Sequence, residues 1–292
     1  MQSGAKTCFH SQLSVDPNSE LPHRYHLFSA KTCPFAHRTE IVRLLKGLET
    51  TIGLTEADSV WTYTNGWLLD NCYKAEGIPN PVPNVKSVVE LYKLSAADYS
   101  GRSSLPVLFD LQTNQIVNNE SSQIIEIFNG RTGPDLYPLA YRGDIDKWCS
   151  DFGTRFSTAH YKAGHAKSQQ EYEVNYDLVF SFLDDLELHM SDRTYVCADQ
   201  LTLADVHIYA HLIRFDPIFY SLFHLNRQHL WEYRAISDYM RRLSSISAFK
   251  DSTDIKEMQR GYFLSETNIP ANLGVIKIPK GDGGVSKLFP NQ

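Results

Sequence analysis

The pattern of apolar residues changes once along this chain, near residue 131, and that change limits the fold more than any other feature. Before it, short apolar runs of strand length alternate with turns and helical stretches. After it, apolar residues recur mostly at helical spacing. Such a chain asks for a small α/β domain followed by an all-α domain. Residues 24–130 read as β-α-(β)-α-β-β-α. Arg24 to Ser29 is the first strand. Ile41, Leu44, Leu45 and Leu48 mark one face of the helix after it, and Gly47 suits its end. Thr51–Leu54, Leu105–Phe109 and Ile116-Val117 supply the other strands, Val88–Leu94 and Ser121–Gly130 the other helices, and Gly77–Asn84 a Pro-rich loop. The full division is a flexible arm over 1–23, the α/β domain over 24–130, a linker over 131–143, the helical domain over 144–266 and a coil over 267–292. Within the helical part, Tyr172 to Leu183 forms one amphipathic helix, Thr202-Leu-Ala-Asp205 opens another as a capping box, Asp216-Pro217 closes it, and Trp231–Leu243 is a third.

A chain of 292 residues can bury two cores without staples. Its net charge of −6 is a poor match for a nucleic-acid backbone, so no nucleic-acid partner is expected. No apolar run approaches the ~18 residues of a membrane span, and the opening residues lack the apolar middle of a secretory signal. The tripeptide Ser286-Lys287-Leu288 resembles a peroxisomal address but is internal. The five cysteines, with no CxxC pair, argue against a disulfide framework or zinc ribbon and for a reducing, cytoplasmic compartment. His207 and His211 share a helix face, and His160 and His165 lie close in sequence, but no acidic partner or third ligand accompanies them, so no metal is expected. There is no Gly-rich phosphate loop, hence no nucleotide.

Cys33 is the most informative residue. It stands between a strand and a helix, where first-turn N–H groups and the macrodipole favour a thiolate. Pro34 fits the first helical turn. Ala36 occupies the position where a CxxC enzyme keeps its resolving thiol, so an external thiol must resolve any mixed disulfide, which points to glutathione as co-substrate. The alternative is a buried small hydrophobe. Leu105-Pro106 reads either as an ordinary strand entry or as a cis bond that presents the Leu105 backbone to a peptide ligand. Glu120-Ser121-Ser122 reads either as a helix cap or as a site where Ser121 holds a carboxylate and Glu120 an ammonium. Tyr161 and Tyr262 are candidates to line an aromatic-ligand pocket.

Together these residues resemble the Xi-class glutathione transferases, the glutathionyl-hydroquinone reductases. The resemblance runs from about residue 20 to 280. It is carried by Arg24-Tyr-His-Leu, Cys33-Pro-Phe-Ala-His-Arg-Thr39, Leu45-Lys-Gly-Leu-Glu49, Asn65-Gly-Trp67, Asp98-Tyr-Ser-Gly-Arg102, Leu105-Pro-Val-Leu-Phe-Asp110 and Ile116-Val-Asn-Asn-Glu-Ser-Ser122. Tyr161-Lys-Ala-Gly164, Leu183-Asp-Asp-Leu-Glu187, Thr202-Leu-Ala-Asp205 and Arg214-Phe-Asp-Pro217 follow in order. It implies a thioredoxin-like N-terminal domain plus an all-α C-terminal domain, the glutathione-transferase fold. It implies catalysis by Cys33 with Tyr161 and Tyr262 at the aromatic substrate, and glutathione held by Phe35, Arg102, Leu105, Pro106, Glu120 and Ser121. A homodimer is implied as well. The reaction implied is reduction of glutathionyl-hydroquinones; an omega-like thioltransferase or dehydroascorbate reductase, and a non-catalytic binding module, are the alternatives. The chain departs from the family at Phe35, where Trp is typical, at Leu105, where Val is common, and at Gly261-Tyr262-Phe263, where the family has His followed by paired tyrosines.

Overall fold

The computed structural model describes residues 8–13, 24–69, 80–197, 199–268 and 278–289. The chain divides into two compact units. One runs to Pro134 and takes in Ser265–Thr267; the other runs from Asp135 to Leu264 and resumes at Asn268.

The first unit contains β1 (Tyr25–Ser29), α1 (Pro34–Leu45), β2 (Ile52–Glu56), α2 (Val88–Ser95), β3 (Val107–Asp110), β4 (Gln115–Asn118) and α3 (Ser121–Asn129). Its sheet has the order β2-β1-β3-β4, with β2 parallel to β1 and the other neighbours antiparallel. All five residues of β1 are buried, so the strand has no exposed face to alternate with a core face. Helix α1 ends as its sequence asks: Gly47 takes a left-handed φ of 63°, and Leu48 N–H returns to Arg43 O at 3.0 Å. The basic residues of that end are used as donors. Arg43 Nε donates to Ile52 O at 2.7 Å, and Lys46 Nζ donates to Asn129 O at 3.0 Å and Pro134 O at 2.7 Å. Lys46 thereby satisfies an orphan carbonyl at the end of α3.

Residues 8–13 correct the expectation of a flexible arm. They lie along β4: Ser11 N–H donates to Val117 O at 2.9 Å, and Asn119 N–H to Phe9 O at 3.2 Å. Phe9 is buried against Tyr92 and Tyr99, with ring centroids 5.9 and 5.7 Å away. One aromatic anchor and an open sheet edge suffice to order a polar segment. The rest of that arm, the first part of the Pro-rich loop, Cys72 and residues 269–277 and 290–292 of the C-terminal coil lie outside the described residues.

The second unit is helical: α4 (Arg142–Phe152), α5 (Ala159–Gly164), α6 (Gln169–His189), α7 (Leu203–Leu212), α8 (Tyr220–Leu222), α9 (Arg234–Ser245), α10 (Ser247–Ser252), α11 (Ile255–Leu264) and α12 (Val285–Leu288). The capping box of α7 is present. Asp205, fully buried, accepts from Thr202 N–H at 2.8 Å, Thr202 Oγ1 at 2.9 Å, Val196 N–H at 2.9 Å and Tyr239 OH at 3.0 Å. Asp216-Pro217 does not close the helical path as expected. Helix α7 stops earlier, at Leu212, and a π-helical turn over Phe215–Phe219, with Pro217 as its third residue, leads on into α8. The end of the chain is not coil throughout either. Ser286-Lys287-Leu288 falls in α12, Leu288 and Phe289 are buried, and Arg241 Nε donates to Leu288 O at 2.8 Å. Among the described residues no helix is long and apolar enough to cross a membrane.

Candidate active site

In the first unit Cys33 is the N-cap of α1, with φ −83° and ψ 115° and Pro34 immediately inside the helix. Its N–H donates to Ala30 O at 3.0 Å, and its carbonyl accepts from His37 N–H at 2.9 Å. The backbone therefore holds the thiol at the helix start, as the strand–helix junction in the sequence demands. The half-buried Sγ donates to the Leu105 carbonyl at 3.5 Å. The Leu105–Pro106 bond is cis. Cys33, Leu105 and Pro106 thus form one locus, although 72 residues separate the thiol from its carbonyl partner.

A second locus forms where α1 meets the start of α3. Glu120 is the N-cap of α3; its Oε1 accepts from Ser122 N–H at 3.3 Å and Ser122 Oγ at 3.1 Å. The capping reading is therefore correct for Glu120, whose side chain is still about half exposed, at 47%. Ser121 is buried and its Oγ accepts from Arg38 Nη2. The same guanidinium nitrogen lies 3.8 Å from Glu120 Oε1, and Arg38 Cζ sits 5.2 Å from the centroid of the exposed Phe35 ring. Sequence reasoning missed Arg38. It lies one turn beyond Phe35 and joins three of the six glutathione candidates through a cation over an aromatic face, a donor to a hydroxyl and a partner to a carboxylate. Arg102 is exposed on the loop before Leu105, its carbonyl accepting from Tyr99 OH at 3.0 Å.

In the second unit the two tyrosines share one aromatic cluster. Phe223 lies 6.1 Å from Tyr161 and 6.3 Å from Tyr262. Phe219 packs on both Phe223 and Tyr262. Tyr161 is 42% exposed and stacks on His165 at 4.1 Å, whereas Tyr262 is 6% exposed. Gly164 explains its place in the Tyr-Lys-Ala-Gly block: a Cβ there would stand 2.0 Å from Phe223 Cδ1, inside the ring that both tyrosines pack against. Of the histidines noted in the sequence, His160 and His211 serve packing. His160 is buried, stacks 5.7 Å from Phe156 and hydrogen-bonds Phe156 O at 3.0 Å; His211 Nε2 pairs with Ser157 Oγ at 2.9 Å. Among the described residues no group of three or more His, Cys, Asp or Glu is placed to hold a metal ion.

Burial pushes the His160 imidazole down to about 4 from an ordinary 6.5. Between those values the unfolded chain binds a proton that the folded one refuses, so stability falls as pH drops from about 6.5 and the loss is complete below about 4. The full shift corresponds to about 3 kcal/mol. Urea unfolding at pH 7 and pH 4.5 should show this loss in the native chain and a smaller loss in His160→Phe; equal losses would remove His160 as the cause.

Comparison with known proteins agrees with this geometry. Residues 32–131 match the family model "Glutathione S-transferase, N-terminal domain", and residues 169–242 match "Glutathione S-transferase, C-terminal domain". The glutathionyl-hydroquinone reductase YqjG of Escherichia coli is 32% identical over 261 residues, covering 87% of this chain and 79% of that protein. The glutathione S-transferase omega-like 2 of Schizosaccharomyces pombe is 36% identical, covering 84% of this chain and 82% of its own length. Among solved structures, the glutathione-S-transferase Xi of Phanerochaete chrysosporium superposes with a TM-score of 0.85 at 33% identity, over 97% of this chain and 98% of that one. The glutathione-bound YqjG structure gives 0.83 at 31% identity, over 90% and 87%. The chain belongs to the glutathione S-transferases, in their Xi class. Its two units are the N-terminal thioredoxin-like and C-terminal all-helical domains of that fold.

Proposed function

We propose that this enzyme reduces S-glutathionyl aromatic compounds, glutathionyl-hydroquinones foremost, with glutathione as co-substrate. The observation that carries the reading is the Cys33 thiol, capping α1 and set against the carbonyl beside a cis-proline, in a chain related to named glutathionyl-hydroquinone reductases. The Cys33 thiolate attacks the glutathionyl sulfur. The sulfur–aryl bond breaks, its electron pair stays with the aryl carbon, and that carbon takes a proton and leaves as the hydroquinone. A second glutathione thiolate then attacks the glutathionyl sulfur of the mixed disulfide, releasing oxidised glutathione and the Cys33 thiolate. Ala36, in the first turn of α1, stands where a resolving thiol would, which is why the resolving thiol comes from outside.

In this reading glutathione lies on the first unit. Its γ-glutamyl end carries an ammonium and a carboxylate, which suit Glu120 and the Ser121 end of α3; Leu105 offers backbone to the cysteinyl part, Phe35 a face, and Arg102 a cation. Tyr161 and Tyr262 serve the aromatic ring. The protein works as a homodimer in the reducing cytoplasm, with no metal, nucleotide, nucleic-acid or membrane partner. An omega-like thioltransferase or dehydroascorbate reductase is the second reading, favoured by the Schizosaccharomyces pombe relative. Parallel assays with glutathionyl-hydroquinone, hydroxyethyl disulfide and dehydroascorbate decide between them: the hydroquinone conjugate should be turned over best, and a preference for either other substrate would move the assignment to the second reading.

Glu120→Gln tests the glutathione site cleanly, because the amide keeps an oxygen to cap Ser122 N–H while losing the charge. By calorimetry, Glu120→Gln and Ser121→Ala should each weaken glutathione binding by about 1–3 kcal/mol. Unchanged affinity with a lowered melting temperature would leave both as structural residues of the α3 start.

A further inference from the structure

Three charged side chains are buried together around the loop that carries Cys33. Lys31, two residues before the thiol, places Nζ 2.7 Å from Glu40 Oε2 and 2.7 Å from Glu56 Oε1. The three side chains are 3%, 2% and 14% exposed. Glu40 lies on α1 about two turns beyond Cys33, and Glu56 ends β2. Ser29 Oγ donates to Glu40 Oε1, and Thr32 Oγ1 donates to Ser59 O at 2.6 Å. The loop from Ser29 to Cys33 is therefore fastened by side chains to the helix it enters and to the neighbouring strand. Burial opposes the Lys31 charge, but Glu40 and Glu56 outweigh it, so its pKa is raised; burial pushes the Glu40 carboxyl up against the pull of Lys31, with Glu56 adding to the rise.

A buried ammonium between two carboxylates is a weak source of stability, because all three charges must leave water and an apolar filling can hold the fold as well. An apolar filling cannot fix a loop at one point, because burial is not directional. Two short charge-assisted hydrogen bonds are directional. We propose that Lys31, clamped between Glu40 and Glu56, is the positioning residue that seats Cys33 at the N-cap of α1. It acts through the loop and touches neither glutathione nor the aromatic substrate. The proposal rests on Cys33 being the nucleophile.

The experiment uses the full chain and follows alkylation of the Cys33 peptide by iodoacetamide against pH, with turnover and melting measured alongside. Lys31→Met alone strands two buried carboxylates and should lose stability, so two other variants carry the test. Lys31→Met/Glu40→Leu/Glu56→Gln removes the whole cluster and should melt within about 5 °C of the native protein. Its Cys33 should lose its fixed place at the helix start, so alkylation at pH 6.5 falls about tenfold and turnover falls with it. Glu40→Gln keeps the Lys31–Glu56 pair and should show the same change at about threefold. A native alkylation profile in Glu40→Gln, or in the folded triple variant, overturns the proposal. If Cys33→Ser itself keeps full activity, the nucleophile reading falls first; if only the clamp variants behave as native, the clamp alone falls.

Discussion

Cys33→Ser should lose deglutathionylation of aromatic substrates by at least about 10³-fold, the largest effect of any single substitution here. A serine hydroxyl does not ionise near neutral pH and cannot form the mixed disulfide. It can still hydrogen-bond a glutathione thiolate, so weak conjugating activity is the expected residue. Single replacements of Cys8, Cys72, Cys149 and Cys197 should each keep turnover close to the native value. Cys197 in particular is no rival: burial, with Asp205 nearby, pushes its thiol up to about 12. Steady-state assays of the five variants check this, and full activity in Cys33→Ser would end the thiol–disulfide mechanism.

The second large effect concerns the tyrosines. Removing the hydroxyl of Tyr161 or Tyr262 should slow aromatic deglutathionylation roughly 5–150-fold, the cost of a hydrogen bond of ~1–3 kcal/mol at the transition state. Simple disulfide exchange needs Cys33 and glutathione alone and should be spared. The exposures of the two residues sharpen the expectation. Tyr161 is 42% exposed and packed by one face on His165, so its Phe variant should fold as the native protein does. Tyr262 is 6% exposed, and Phe there keeps the edge contacts to Phe219 and Phe223. Parallel kinetics of both single variants and the double variant toward a glutathionyl-hydroquinone and hydroxyethyl disulfide separate the cases. Equal losses toward both substrates would point to the fold or the glutathione site; no loss toward the aromatic one would remove the tyrosines from the mechanism.

What was legible in the sequence was local. The β1–α1 junction could be read because a buried strand, Cys33 and Pro34 follow one another, and Pro at the first helical position has a backbone reason. The Thr202–Asp205 cap was legible for the same reason. The isomer of Leu105-Pro106 was not, because its neighbours favour neither form, and its contact with Cys33 spans 72 residues. Nothing local in the sequence singles out Arg38; its burial and its partner Ser121, 83 residues on, are tertiary facts. Lys31, Glu40 and Glu56 share no helical or strand spacing, so their meeting was invisible to periodicity. Residues 8–13 misled because polar composition outweighed one Phe, and Asp216-Pro217 because a proline inside a π-helical turn does not end a helical path. A shared role for Glu120, Ser121, Arg102 and the tyrosines is implied by the resemblance alone and has no local signal in the sequence.

A single-turnover reaction tests the central claim most directly. The protein is mixed with excess S-glutathionyl-hydroquinone and no added glutathione, the released hydroquinone is quantified, and the protein is examined by intact mass and peptide mapping. The mechanism predicts one hydroquinone released per chain, one glutathionyl adduct on Cys33, and loss of that adduct as oxidised glutathione when glutathione is added. Hydroquinone release without an adduct, or an adduct on another cysteine, would contradict it.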